Sequence, residues 1–236
     1  MKRLALITGG TKGLGREIAL TFGRAGYEIV ALYSSDEQAA EDLKNAFAQA
    51  KIEGSVVRQD VTVAESTLWK GPNIQEAQSL TLIHNACAPF FPVPIHQLGW
   101  SDVEESFRVA VKGAWICTQG LIRPMLRKGS GVIVNVLTSA LGEQTPKGFA
   151  AYLTAKHALR GLTRALAAEY AERGVRVFSV SPGFMDTPLT NRWDSRLRDI
   201  IRANSSRVTE PDAAAKRILE LVTDETAPGR GEDYPV

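Results

Sequence analysis

The chain holds only two cysteines and three histidines among 236 residues, and neither type is grouped. Cys87 and Cys117 lack CxxC spacing, which argues against a disulfide framework and for a reduced, cytoplasmic protein. His84, His96 and His157 form no HExxH or Cys/His ligand pattern, so no metal site is expected. An excess of one charge is also missing: 28 Lys and Arg oppose 26 Asp and Glu. A net charge of +2 supplies no global field toward nucleic acid or an anionic membrane. No apolar run approaches the ~20 residues that span a bilayer. The short apolar run after Met1-Lys2-Arg3 stops at Thr8-Gly9-Gly10 with no small-residue cleavage site, and reads as a buried strand. Internal repeats, low-complexity stretches and Pro/Gly/Ser linkers are absent too, so one domain over residues 1–236 is expected.

What is present is an alternation. "RLALIT", "YEIVALY", "GSVVRQD", "LTLIHNA", "GVIVNVLTS" and "VRVFSVSPG" read as buried strands. Helical patterns lie between them at 16–26, 36–50, about 63–78, 102–129 and 150–174. Strands alternating with helices imply an α/β Rossmann fold, a doubly wound parallel sheet with helices on both faces. Ligands of such sheets bind beyond the carboxyl ends of the strands, near the topological switch point. Residues after the first, fourth, fifth and sixth strands are therefore the candidates.

"TGGTKGLG", Thr8 to Gly15, follows the first strand. Gly9 permits a tight turn, Gly13 lets backbone approach a pyrophosphate, and Gly15 allows close helix–strand packing. Thr11, Lys12 and Leu14 complete this cofactor-binding turn. Phosphates would rest at the helix N-terminus, where unpaired N–H groups and the dipole favour anions. A site for NADH usually has an acidic residue at the end of the second strand. Here the position is Tyr33, followed by Ser34 and Ser35, with Lys12 in the glycine turn. Hydroxyls and a cation suit a 2′-phosphate, so NADPH is expected over NADH. Asp36 and Glu37 read as first-turn residues of the next helix.

Tyr152 and Lys156 rise from one face of an alanine-rich helix, four residues apart. Alone, the pair is a common accident. In order along the chain, however, stand "TGGTKGLG", "DVT" at 60–62, "HNA" at 84–86, Ser139 thirteen residues before Tyr152, "YLTAK" and "SPGFMDTP" at 181–188. On these motifs the chain resembles the short-chain dehydrogenase/reductase family over nearly its whole length, and within it 3-oxoacyl-ACP reductases and polyketide ketoreductases.

That resemblance implies NADPH-dependent hydride transfer to a ketone, either a 3-oxoacyl or polyketide thioester on a carrier or a related small carbonyl. Tyr152 would donate the proton, and Lys156 would stabilise the tyrosinate and bond the nicotinamide ribose. Ser139 would hold the substrate oxygen. Asp60 and Val61 would flank the adenine, and Asn85 and Ala86 would line the cofactor behind the fourth strand. Pro182 and Gly183 would shape the nicotinamide pocket, with Thr187 near the carboxamide. Two alternatives use the same residues: a catalytically weak dinucleotide sensor, and a dehydrogenase oxidising a secondary alcohol or sugar.

The sequence departs from the family's pattern in three places. Ala110 stands where the family has an asparagine supporting a water that links the lysine to solvent. Cys87 replaces the glycine of the usual "NAG". The C-terminal "TAPGRGEDYPV" shows no apolar β-run, which leaves open a homodimer or a homotetramer. Arg123, Arg127, Lys128 and Arg173 lie at helix ends, where they either meet an acidic acyl carrier protein or complement the helix dipoles. Residues 185–210 are long enough to fold over a ligand as a lid.

Overall fold

Alternation sets the first strand. Leu4 and Leu6 pack into one apolar cluster while Ala5 and Ile7 enter another, and all four are fully buried. A strand buried on both faces must lie inside a sheet covered by helices on both sides. The computed structural model describes residues 2–63, 72–142, 145–226 and 229–236. Seven parallel strands run in the order β3-β2-β1-β4-β5-β6-β7. They are β1 (Arg3–Ile7), β2 (Tyr27–Tyr33), β3 (Gly54–Arg58), β4 (Ser79–His84), β5 (Gly131–Val136), β6 (Val175–Ser181) and β7 (Arg230–Pro235).

Helix α1 (Gly13–Arg24) buries Leu14, Ile18 and Phe22 on one face of the sheet, beside Leu43 and Phe47 of α2 (Glu37–Ala50). Asp36 caps α2 by accepting from the Ala39 N–H at 3.0 Å, as the first-turn reading expected. The other face is covered by α5 (Gly113–Lys128), through Cys117, Leu121 and Met125, and by α6 (Ala150–Tyr170), through Leu166. Among the described residues no helix is long and apolar enough to cross a membrane.

Four features differ from the sequence reading. The helix expected near 63–78 is described only as α3 (Pro72–Glu76), because residues 64–71 lie outside the described part. The expected 102–129 helix is α4 (Trp100–Phe107) joined to α5 by one wider π-turn, Arg108–Lys112, with Ala110 at its centre. A further helix, α8 (Pro211–Thr223), packs Ala214, Ala215 and Ile218 beside α1. The polar C-terminus does form a strand. β7 adds to the free edge of β6, where Asp233 accepts from the Ser179 and Ser181 hydroxyls at 3.0 and 2.9 Å and Tyr234 meets the Phe178 ring.

The segment 185–210 folds as a short turn of helix at Thr190–Arg192 followed by α7 (Ser195–Ala203). It is pinned at its base by a bridge between Phe184 and Val208, and by Arg202 paired with Asp186 at 2.9 Å.

Candidate active site

The strand order reverses between β1 and β4, so the loops after these strands part and leave a crevice. A cavity of about 450 Å³ opens there. Its floor is the glycine turn. Gly9 and Gly13 both have positive φ, at 62° and 51°. Gly15 is constrained differently: a Cβ there would fall 2.1 Å from the Gly9 carbonyl oxygen and 2.5 Å from Asn85 Nδ2. Lys12 precedes α1 without capping it through its side chain, so the first N–H groups of the helix stay available at the mouth of the cavity. These features fit a bound pyrophosphate: a backbone surface free of side chains, aimed N–H groups and a large cleft.

Asn85 ties the turn to β4. Its Nδ2 donates to the carbonyls of Thr8 and Gly9 at 3.1 and 3.0 Å, while the Thr8 hydroxyl accepts from the N–H groups of Asn85 and Ala86. The residue read as lining the cofactor thus also shapes its cradle. Thr11, Leu14, Val61, Ala86, Pro182 and Thr187 stand on the same cavity walls. Asp60 does so as well. Burial alone would raise its carboxyl, yet hydrogen bonds from the Thr62 N–H and hydroxyl, with Arg108 and Lys112 nearby, hold it below the ordinary carboxylate range.

At the rim beyond β2, Tyr33 donates its hydroxyl to Glu37 at 2.6 Å. Ser34 lines the cleft, and Lys12 Nζ lies 2.8 Å from Asp36 Oδ2. The Lys12 cation is therefore already paired with a carboxylate. A second cation, Arg192, stands on the same wall; its position 177 residues beyond Gly15 left no local sequence signal.

Tyr152 and Lys156 reach the cavity from α6. Lys156 is 3% exposed and donates to the Val136 carbonyl at 2.6 Å, at the end of β5. Burial pulls its pKa down, with the Cys87 thiol working the other way. Burial pushes the Tyr152 phenol above its usual value, Cys87 adds to that, and the neighbouring Thr138 side chain opposes both. Cys87 is half-buried on the cavity wall, with its thiol donating to the Ala88 carbonyl at 3.3 Å.

Thr138, a residue the sequence reading did not single out, also lines this cavity, and its hydroxyl accepts from the Ala140 N–H at 3.3 Å. Ser139 lines a second, smaller cavity of about 100 Å³ that also touches Tyr152 and Thr138. Its own N–H donates to the Pro182 carbonyl at 2.8 Å. Gly183 packs too closely against the Arg207 carbonyl to admit a Cβ and donates its N–H to the Thr209 hydroxyl. Together these residues set a donor phenol, an ammonium and a hydroxyl at the inner end of a cleft shaped for a dinucleotide, the arrangement needed to protonate a carbonyl oxygen as hydride arrives.

At the helix ends, Arg127 and Lys128 donate to the Gln75 side chain and carbonyl at 3.1 and 2.7 Å. Arg173 lies over the Tyr170 ring.

Comparison with known proteins gives a consistent result. A family model described as short chain dehydrogenase matches residues 3–198. The 3-oxoacyl-[acyl-carrier-protein] reductase of Staphylococcus epidermidis is 30% identical over 203 residues, spanning 84% of this chain and 82% of its own. The acetoacetyl-CoA reductase of Allochromatium vinosum is 29% identical over 240 residues, spanning 100% and 97%. Among solved structures, a candidate NAD(P)-dependent gluconate 5-dehydrogenase from Beutenbergia cavernae, with NADP at low occupancy, matches with a TM-score of 0.84. It is 28% identical and covers 99% of this chain and 94% of its own.

Proposed function

The chain belongs to the short-chain dehydrogenase family, and from that premise we propose that it is an NADPH-dependent reductase of ketones. The observation that carries the reading is the convergence of Thr138, Tyr152 and Lys156 on the inner end of the cleft that begins at the glycine turn. Bound NADPH supplies the hydride. Tyr152 donates its phenolic proton to the carbonyl oxygen, and the Ser139 hydroxyl, on the wall of the chamber that touches the phenol, holds that oxygen beside it. Lys156 sits one helical turn from Tyr152, with its ammonium fixed by the Val136 carbonyl. Its positive charge favours the tyrosinate that remains after proton transfer. Gly183 and Pro182 would keep the backbone close to a bound nicotinamide, and Thr138 lies beside Ser139 on the chamber wall.

NADPH over NADH is supported by the absence of a carboxylate at Tyr33, by the Ser34 hydroxyl, and by Lys12 and Arg192 on the same wall. The NADP-bound neighbour adds to this support. Asp36 is the opposing charge, and its two oxygens are taken up by Lys12 and the Ala39 N–H. The relatives' names favour 3-oxoacyl thioesters as substrates, and exposed Arg123 is a contact point for an acyl carrier protein. Trp115, half exposed on α5, supports a dimer formed through α5 and α6. The two free thiols support a cytoplasmic setting.

The test is NADPH oxidation with free ketones, acyl thioesters and carrier-bound ketones, for wild type and Tyr152→Phe. The variant should lose at least about 10²-fold in turnover, the lower end for a positioned general acid, while still binding NADPH. Lys156→Ala should lose both. Near-normal turnover in Tyr152→Phe overturns the mechanism, and cofactor binding without turnover of any ketone or alcohol supports a sensor instead.

A further inference from the structure

The substrate side of Tyr152 is a chamber of unusual uniformity. Phe90, Phe149, Phe184, Trp193 and Ile201 wall the 100 Å³ cavity, and its remaining described lining is apolar or hydroxylic; no charged side chain lines it among the described residues. The larger cleft, by contrast, carries Lys12, Asp36, Asp60, Glu105, Arg108 and Arg192.

The aromatic walls hold one another. The Phe90 ring stacks on Tyr152 with centroids 4.4 Å apart and planes 9° from parallel. It meets Phe149 edge-on at 5.1 Å and Trp193 at 5.2 Å. Trp193, itself buried, donates its indole N–H to the Phe90 carbonyl at 2.8 Å, which fixes the ring from the 185–210 segment. Two arginines of that segment are engaged away from the chamber: Arg202 pairs with Asp186 and Arg198 bonds Asn191 at 3.0 Å, and neither lines it.

Size and polarity then select the occupant. A dry cavity of about 150 Å³ lined by apolar side chains takes a benzene molecule. A chamber somewhat smaller, which shares Thr138, Tyr152 and Gly183 with the larger cleft, suits a single ring whose carbonyl lies at the phenol between them. A carboxylate or phosphate placed there would lose its water and find hydroxyls alone, with no cation on the described walls to pair with. We propose that the ketone reduced at this site bears one flat, uncharged, apolar group of about one ring, seated among Phe90, Phe149 and Trp193. This assignment rests on the ketone-reductase reading and narrows it to aryl or cycloalkyl ketones.

The experiment uses acetophenone, 4-acetylbenzoate and an acetoacetyl thioester as substrates with NADPH. Thermal shifts with 1-phenylethanol and its 4-carboxylate give a second readout that does not depend on turnover. Acetophenone should exceed 4-acetylbenzoate in kcat/KM by at least about tenfold, as expected when a charge must enter an apolar pocket. Phe90→Ala should reduce that preference. Ser206→Lys, a change at the exposed rim of the chamber, should raise kcat/KM for 4-acetylbenzoate relative to acetophenone, which keeps the proposal testable if Phe90→Ala fails to fold. Tyr152-dependent turnover of the thioester or of 4-acetylbenzoate, equal to or above that of acetophenone, overturns the proposal and leaves the reductase reading standing. Absence of turnover with every ketone, while 1-phenylethanol alone raises the melting temperature, overturns the reductase reading and supports the chamber. Equal shifts from both alcohols, or from neither, overturn the chamber.

Discussion

Thr138 and Ser139 follow β5 side by side, yet Thr138 lines both cavities and Ser139 only the smaller one, and Tyr152 lines both as well. Ser139→Ala should lower turnover by about 10²-fold, the scale for removing one hydrogen bond to a developing oxyanion. Thr138→Val should cost less in kcat and act mainly on KM. Steady-state kinetics on both variants decides the matter, and the reverse ranking would give the substrate-oxygen role to Thr138.

Cofactor choice turns on the pair of Lys12 and Asp36 at the cleft rim. Wild type should bind NADPH more tightly than NADH in direct titration. Lys12→Ala should narrow that preference by removing a cation and leaving Asp36 uncompensated. Asp36→Asn should widen it. Equal or tighter binding of NADH by wild type would defeat the assignment.

Stability should depend on pH through His84. It is fully buried against Thr118, with 3.1 Å between Nε2 and the hydroxyl, and its Nδ1 has no partner among the described residues. Burial depresses its pKa to about 3. An unfolded histidine takes up its proton near pH 6.5 while the native one stays neutral until far lower. The unfolded state therefore binds more protons in that window, and its stabilising effect is complete above about pH 6.5 and lost as pH falls toward 3. Urea unfolding between about pH 7 and pH 5 should show a decline of up to ~1.4 kcal/mol per pH unit from this group. His84→Leu should flatten the decline; an unchanged slope would show that other groups set it.

Ala110 sits buried in the π-turn between α4 and α5. If a water relay to Lys156 is what the missing asparagine supported, Ala110→Asn should raise turnover or shift its pH dependence. The closed packing favours the other result, an added amide left unpaired at a cost of ~1–3 kcal/mol. We expect a lower melting temperature with an unchanged pH–rate profile. A faster enzyme with an altered profile would restore the relay idea.

Six strands, the glycine turn and the Tyr152–Lys156 pair were legible in the residues because each has a local cause. Buried strands must be apolar on both faces, a tight turn under a phosphate must lack side chains, and residues four apart share a helix face. The tertiary structure decided the rest. β7 has no apolar run and forms because β6 offers an unpaired edge, two serine hydroxyls for Asp233 and the Phe178 ring for Tyr234. Thr138 joins Ser139 near the phenol because the chain's course after β5 carries both into the chamber wall, and motif spacing does not record that course. The chamber gathers Phe90, Phe149 and Trp193 from three separate connections. Periodicity reports only neighbours along the chain, whereas rings more than a hundred residues apart meet because the sheet order brings the ends of β4, β5 and β6 side by side.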